Sequence, residues 1–272
     1  MKRFRFDRKH LTIPYLLYLV VFVVIPLLVV IYYGFTDGEG NISFSNFVAF
    51  FCNTKTMGTL LYSLVLAIIV TLVCLLIAYP VAYILAKGAY ARKHAFLMVF
   101  VLPMWINFTL RITALKEILT LFEGNLAFHP FLNTVIGMVY DFLPFMIMPL
   151  YNALTKLDNS MVEASRDLGA NGRQTFLKVI LPLSVPGIIS GITMVFLPAM
   201  TNYVVLDMVY NSTYIMGSLI GSYFSSYDWN NGSLISAVLL ILIGIFTVAT
   251  NRLAGDSGRG ENKKVRRERR RA

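Results

Sequence analysis

Six stretches of this chain, residues 11–33, 59–86, 95–115, 131–154, 183–206 and 233–250, are apolar over a length that spans a bilayer. A helix needs about 20 such residues to cross the hydrocarbon core. In lipid every backbone N–H and C=O must be satisfied within its own element, so isolated runs of this kind fold as helices. The predicted fold is therefore all-α, a polytopic membrane protein with six transmembrane helices. The totals agree: 57% of residues are hydrophobic and 14% charged, whereas soluble domains run at about 45–50% and about 25%. The first run has a basic flank, but its apolar part is long and no small-x-small cleavage site follows in "YYGFTDG". It predicts a retained anchor rather than a cleaved signal. Cys52 and Cys74 have no metal-type spacing, and only Cys74 lies in an apolar run, which predicts two inert thiols.

The net charge of +10 is unevenly placed. Six spans put both termini on one side, and all but Lys55, Arg111 and Lys116 of the 24 Lys and Arg residues fall on that side. Positive residues mark the cytoplasmic face, so both termini and the insert between the fourth and fifth runs are predicted to be cytoplasmic. The organisation is a basic N-terminus (1–10), a six-span domain (11–252) with a cytoplasmic loop at about 155–182, and a basic tail (253–272) expected to be disordered. The tail "KKVRRERRRA" reads as a solvated topology determinant touching anionic lipid, not as a nucleic-acid site.

The loop is the one polar, helix-forming insert in an otherwise lipid-facing chain. Ser160 followed by Glu163 matches a capping box, predicting a short helix at about 161–168 with Met161, Ala164 and Leu168 on one face. Gly169 supplies the backbone freedom to end it. A second helix is predicted from about Gly172 to Ile180, stopped by Pro182 and leading into the fifth run. Two short helices joined at a glycine and attached to a membrane helix form a stiff amphipathic projection, suited to docking a cytoplasmic partner; the plainer alternative is a solvated loop.

The pattern Glu163-Ala164-Ser165, then Gly169, then Val179-x-Leu181-Pro182 resembles the EAA loop of bacterial ABC importer permeases. It departs from that signature at Ser165, for Ala, and at Val179, for Ile. The resemblance implies a coupling helix that inserts into a groove of an ATPase subunit, with Glu163, Ala164 and Gly169 as its core and Arg166, Asp167 and Leu168 as contacts on the same helix. No GxxxxGK[ST] phosphate loop occurs; "GANGRQT" has the wrong spacing and no lysine. ATP hydrolysis must then come from a partner. HExxH and GxSxG motifs are also absent, and His10, His94 and His129 lie at or beyond run ends. The chain is predicted to be a transport subunit rather than an enzyme, with no cofactor or metal site.

Charged groups within spans are costly and are functional candidates by default. Arg111, Asp141 and Asp207 qualify. For Arg111 the alternatives are snorkelling to the interface or an internal ion pair; for Asp207, a plain interfacial position; for Asp141, pairing with a group of another subunit. The predicted outer loops carry Asp37, Glu39, Glu117, Glu123, Asp207 and Asp228 against Lys55 and Lys116, a net negative mouth that would concentrate cations. Trp105, Tyr203, Tyr223 and Trp229 lie near it, and aromatic faces with carboxylates suit organic cations; an interfacial aromatic belt would look similar. The candidate path is Trp105, Asp141, Tyr203, Asp207, Asp228 and Trp229. Gly187 and Gly191 have the GxxxG spacing of closely packed helices.

"WINFTLRITALKEIL", "LPFMIMPLYNALTKLD" and "LPLSVPGIISGITMVFLPAM" resemble the B-type permeases of spermidine/putrescine importers, and the likeness covers most of the chain. It implies a bacterial inner-membrane location, a second related permease, a cytoplasmic ATPase dimer and an extracytoplasmic polyamine-binding protein. Neighbouring branches move iron, thiamine, sulfate or phosphonates. Two other classes stay open, an ATP-independent carrier driven by protons through Asp141 and a non-transporting scaffold subunit.

Overall fold

The computed structural model describes residues 12–37, 39–88, 93–209 and 212–269. The basic N-terminus 1–10 and Arg92 lie outside the described residues, as do the tail side chains from 253 onward. In chain order the helices are α1 (Thr12–Gly34), α2 (Ser45–Cys52), α3 (Thr54–Lys87), α4 (Ala95–Trp105), α5 (Phe108–Glu123), α6 (Pro130–Thr155), α7 (Asn159–Asp167), α8 (Gly172–Thr201), α9 (Val204–Met208), α10 (Met216–Ser225) and α11 (Trp229–Arg269). Among the described residues the only β pairing is a bridge between Thr36 and Ile42. Five helices are long and apolar enough to span, and α4 with α5 makes a sixth if that bent pair is one span.

The described residues form two compact units. The first runs through Gly58 and includes Ser218–Leu242. Here α1 is exposed along nearly its whole length, as a lipid-facing helix must be. Pro26 cannot donate a backbone hydrogen bond, and the turn before it widens into a π segment, Val20–Val24, in which Ile25 N–H reaches Val20 O. The loop after α1 is tied to the start of α11: Asn230 Nδ2 donates to Thr36 O at 2.6 Å and to Tyr33 O at 3.1 Å.

The second unit, Thr59–Gly217 with the chain from Ile243 on, has its core along α6 and α8. Their seam is close. A Cβ on Gly191 would lie 2.5 Å from Met146 Sδ, and one on Gly187 would collide with the Ala153 side chain. The GxxxG spacing thus does what it predicts here. Tyr79 OH and Ser184 Oγ, 2.9 Å apart, join α3 to α8.

Three boundaries differ from the sequence expectation. The third run is not straight: α4 ends in a 3-10 turn at Leu102–Trp105, and α5 leaves at 100° to it. Pro103 removes a helical donor, and Asn107 starts a new helix by accepting from Thr109 N and Leu110 N. The fifth span ends at Thr201 rather than 206, because the chain breaks at Asn202 before α9. The last helix continues to Arg269 where a disordered tail was expected; no proline stops it, and its end is rich in the helix formers Lys, Arg and Glu.

Candidate functional site

The insert between α6 and α8 folds as a helical hairpin with both ends and its joint chemically specified. Asp158, not Ser160, begins α7: its carboxylate accepts from Ser160 N at 2.9 Å. The expected capping box of Ser160 and Glu163 is therefore not formed; a carboxylate two residues earlier already satisfies the free amide, and Glu163 is left one turn further on. Hydrogen bonds to Ser160 hold the Asp158 carboxyl below its ordinary range.

Leu168 ends α7, and Gly169 adopts φ +82°. Gly169 N donates to Arg166 O at 2.8 Å and Ala170 N to Ser165 O at 3.1 Å. This is the paired closure that a left-handed residue after a helix permits. The capping box sits at the next helix instead. Asn171 Oδ1 accepts from Gln174 N at 2.9 Å, and Gln174 Oε1 accepts from Asn171 N at 3.0 Å. The motif Asn-x-x-Gln was legible in the sequence.

Pro182 does not stop the second helix. A π segment, Phe176–Ile180, precedes it, with Leu181 N–H reaching Phe176 O, so that α8 runs unbroken from Gly172 to Thr201. The second arm of the hairpin and the membrane helix are one continuous rod. Ser165 Oγ and Thr175 Oγ1, 2.9 Å apart, pin α7 to that rod, with Thr175 buried. Ser165 at the variant position of the motif thus has a partner an alanine would lack. Lys87, at the end of α3, donates to Leu157 O at 2.7 Å and Asn159 Oδ1 at 2.8 Å, holding the start of the hairpin. Sequence reasoning used Lys87 only as a topology charge; nothing in its local pattern marks this contact.

Glu163, Ala164, Arg166, Asp167 and Leu168, around and at the end of α7, are all exposed, with Leu168 at 88%. Met161 is 44% exposed. The apolar face predicted for this helix is therefore not spent on the protein's own core. Leu181 is half-buried and Pro182 exposed. A cleft of about 260 Å³ lies beside Glu163, lined also by Tyr83, Lys87, Asn159, Val162 and Arg166.

The six path candidates divide between the units. In the first, Asp228 starts α11, its carboxylate accepting from Asn231 N at 3.1 Å and Asn231 Nδ2 at 2.8 Å. Trp229 packs in a ring cluster with Phe224 and Tyr227. In the second unit Trp105 lies at the α4–α5 break, 76% exposed, Tyr203 and Asp207 are exposed on and before α9, and Asp141 is buried. Asp141 forms an ion pair with Arg111 of α5. Of the alternatives for Arg111, the internal pair is the one found. A groove of about 560 Å³ between α6 and α8 is lined mainly by apolar side chains, among them Met104, Phe145, Met148 and Met194, with Asn152, Ser190 and the cationic Lys156 as its polar lining.

Residues 94–255 match the family model described as "Binding-protein-dependent transport system inner membrane component". The chain is 39% identical to the spermidine/putrescine transport system permease protein PotB of Haemophilus influenzae, over 84% of this chain and 87% of that one. It is also 39% identical to PotB of Escherichia coli, over 68% of this chain and 74% of that one. Among solved structures, a chain of a bacterial alginate ABC transporter in complex with alginate pentasaccharide-bound periplasmic protein superposes with a TM-score of 0.71, covering 90% of this chain and 93% of that one at 13% identity.

Proposed function

Because the chain belongs to the family of inner-membrane components of binding-protein-dependent transport systems, we propose that it is the permease subunit through which an ATP-driven importer moves polyamines. It is a multi-pass protein of the inner membrane and a transport subunit, not an enzyme; its family implies a separate ATPase and a substrate-binding protein. The finer reading adds a second related permease, an ATPase dimer and an extracytoplasmic polyamine-binding protein. Both termini and the hairpin face the cytoplasm, on the strength of the basic-residue asymmetry.

The observation that carries the coupling role is the hairpin itself. It offers the exposed Glu163, Ala164 and Leu168 on a helix pinned at Ser165–Thr175 to α8. A docked ATPase that closes on ATP would move α7, and the rod would carry that movement into the membrane. ATP must then bind one permease geometry better than the other, since only differential affinity shifts such an equilibrium. The polyamine reading draws on the relatives' printed names and on the exposed Asp207, Tyr203 and Trp105. A carboxylate replaces water around an ammonium group, and aromatic faces support both cation and methylene chain.

The test is uptake of radiolabelled spermidine into proteoliposomes holding this chain with its ATPase, second permease and binding protein. ATP-dependent uptake that Glu163→Lys abolishes, with the variant still inserted, is the expected result. Uptake of another solute only would keep the importer and discard polyamines. Normal uptake by Glu163→Lys would refute the coupling role, and uptake by this chain alone without ATP would refute both.

A further inference from the structure

Arg111 is a poor choice for its own helix. It sits in the first turn of α5, where the positive end of the helix dipole disfavours a cation, and it is 7% exposed in an apolar unit. Its Nε and Nη1 are buried without a hydrogen-bond partner. Compensation for the charge comes through Nη2, from the carboxylate of Asp141, itself 3% exposed. The pair is therefore placed for a tertiary reason.

That reason is the break before α5. A helix leaving its predecessor at 100° gains no direction from it, so α5 is oriented by what it packs on. Besides the turn Leu126–Phe128 that follows it, it packs on α6 and α9. From α5, Thr113 Oγ1, which donates to Thr109 O at 2.9 Å, lies 3.9 Å from Met208 Sδ of α9. From α6, Gly137 lies so close to α9 that a Cβ there would be 2.7 Å from Val205 Cγ1. Asp141 is one helical turn beyond Gly137, and Arg111 is two residues before Thr113. The ion pair thus joins the two helices on which α9 rests, and α9 carries the exposed Asp207, with Tyr203 at its start.

We propose that Arg111 and Asp141 are positioning residues whose buried ion pair holds α5 against α6 and thereby sets where Tyr203 and Asp207 meet a cationic substrate. The inference rests on the reading of this chain as a polyamine permease, and it removes Asp141 from the groups that touch the substrate. A buried charge left without its partner is far more costly than the loss of both, because an apolar pair of similar volume needs no compensation. Direct substrate ligation by Asp141 has the opposite signature, since removing Arg111 as well would restore nothing.

The experiment is a double-substitution cycle, Arg111→Met, Asp141→Met and both together, with Asp141→Asn as the near-isosteric control, in the reconstituted importer. Each single change is expected to raise KM for spermidine roughly tenfold or more while the maximal rate stays within about threefold, and the double is expected to return to within about threefold of wild type. Should the single variants not assemble, recovery of assembled complex in the double reads the same coupling. Losses that add in the double, or an Arg111→Met variant with wild-type KM beside a defective Asp141→Asn, overturn the proposal. If the wild-type importer takes up no polyamine, the polyamine reading fails instead. The same cycle read as thermal stability of the purified complex then decides the ion pair, with additive losses again overturning it.

Discussion

Gly169 and Gly172 provide a controlled comparison within the hairpin. A Cβ built on either meets nothing within 4 Å, so neither substitution creates a clash. They differ in backbone conformation: Gly169 has φ +82°, while Gly172 is the first residue of a helix. An L-residue held in the left-handed region costs about 1–2 kcal/mol, whereas alanine in a helix stabilises by about 0.5–1 kcal/mol relative to glycine. Gly169→Ala therefore acts on one thing, the closure made by Gly169 N to Arg166 O and Ala170 N to Ser165 O. A destabilisation of 1–2 kcal/mol lowers the population of the formed joint relative to the opened one by a factor of about 5–30. If the ATPase engages the formed hairpin in every cycle, ATP-driven uptake in proteoliposomes falls by up to that factor, with assembly unchanged. Gly169→Asn, which tolerates the left-handed region better, is expected to fall between, and Gly172→Ala to transport like wild type. Wild-type uptake by Gly169→Ala, or equal losses at both glycines, would refute the reasoning.

Two further outcomes follow from the geometry. A Cβ on Gly217 would overlap the Thr201 backbone carbonyl, which has no rotamer to escape into, whereas one on Gly221, inside α10, meets open space; Gly217→Ala is expected to lower the thermal stability of the purified protein by several degrees and Gly221→Ala to keep or slightly raise it. The Asp158 carboxyl is held below its ordinary value of 3.8 by hydrogen bonds to Ser160. Its contribution is thus present above that value and lost as pH falls through the lowered one. Protection of the amides over 159–168, measured against their intrinsic exchange rates, is expected to fall on acidification below about that ordinary value, and Asp158→Asn, which keeps a cap without a titrating group, to remove that part of the pH dependence.

Much of the hairpin could be read from adjacent residues. The turn at Gly169, the start at Gly172 and the exposed face of α7 all depend on neighbours within four positions, where capping and helical periodicity operate. The starting cap was misplaced because Ser160 and Asp158 both offer acceptors, and only the chain's path out of α6 at Leu157 selects Asp158. Pro182 was read as a stop because proline removes a donor; the π segment before it widens the turn, with Leu181 N–H reaching back to Phe176 O, and the helix continues through it. Lys87 and Thr175 were invisible as structural ties, since their partners lie 70 and 10 residues away.

What the sequence determined by itself is what lipid and local geometry impose: an all-helical chain in the membrane, its candidate spans, the polar insert and the glycine joint. These follow from the cost of unpaired backbone groups and from the few conformations that neighbouring residues share. The tertiary structure decided what depends on long-range partners. It bent the third run by 100°, joined the hairpin's second arm to the membrane helix as one rod, and matched Arg111 with Asp141 across 30 positions of sequence. A charge in an apolar run announces that a partner is needed, but only the packing of helices against one another determines which group supplies it.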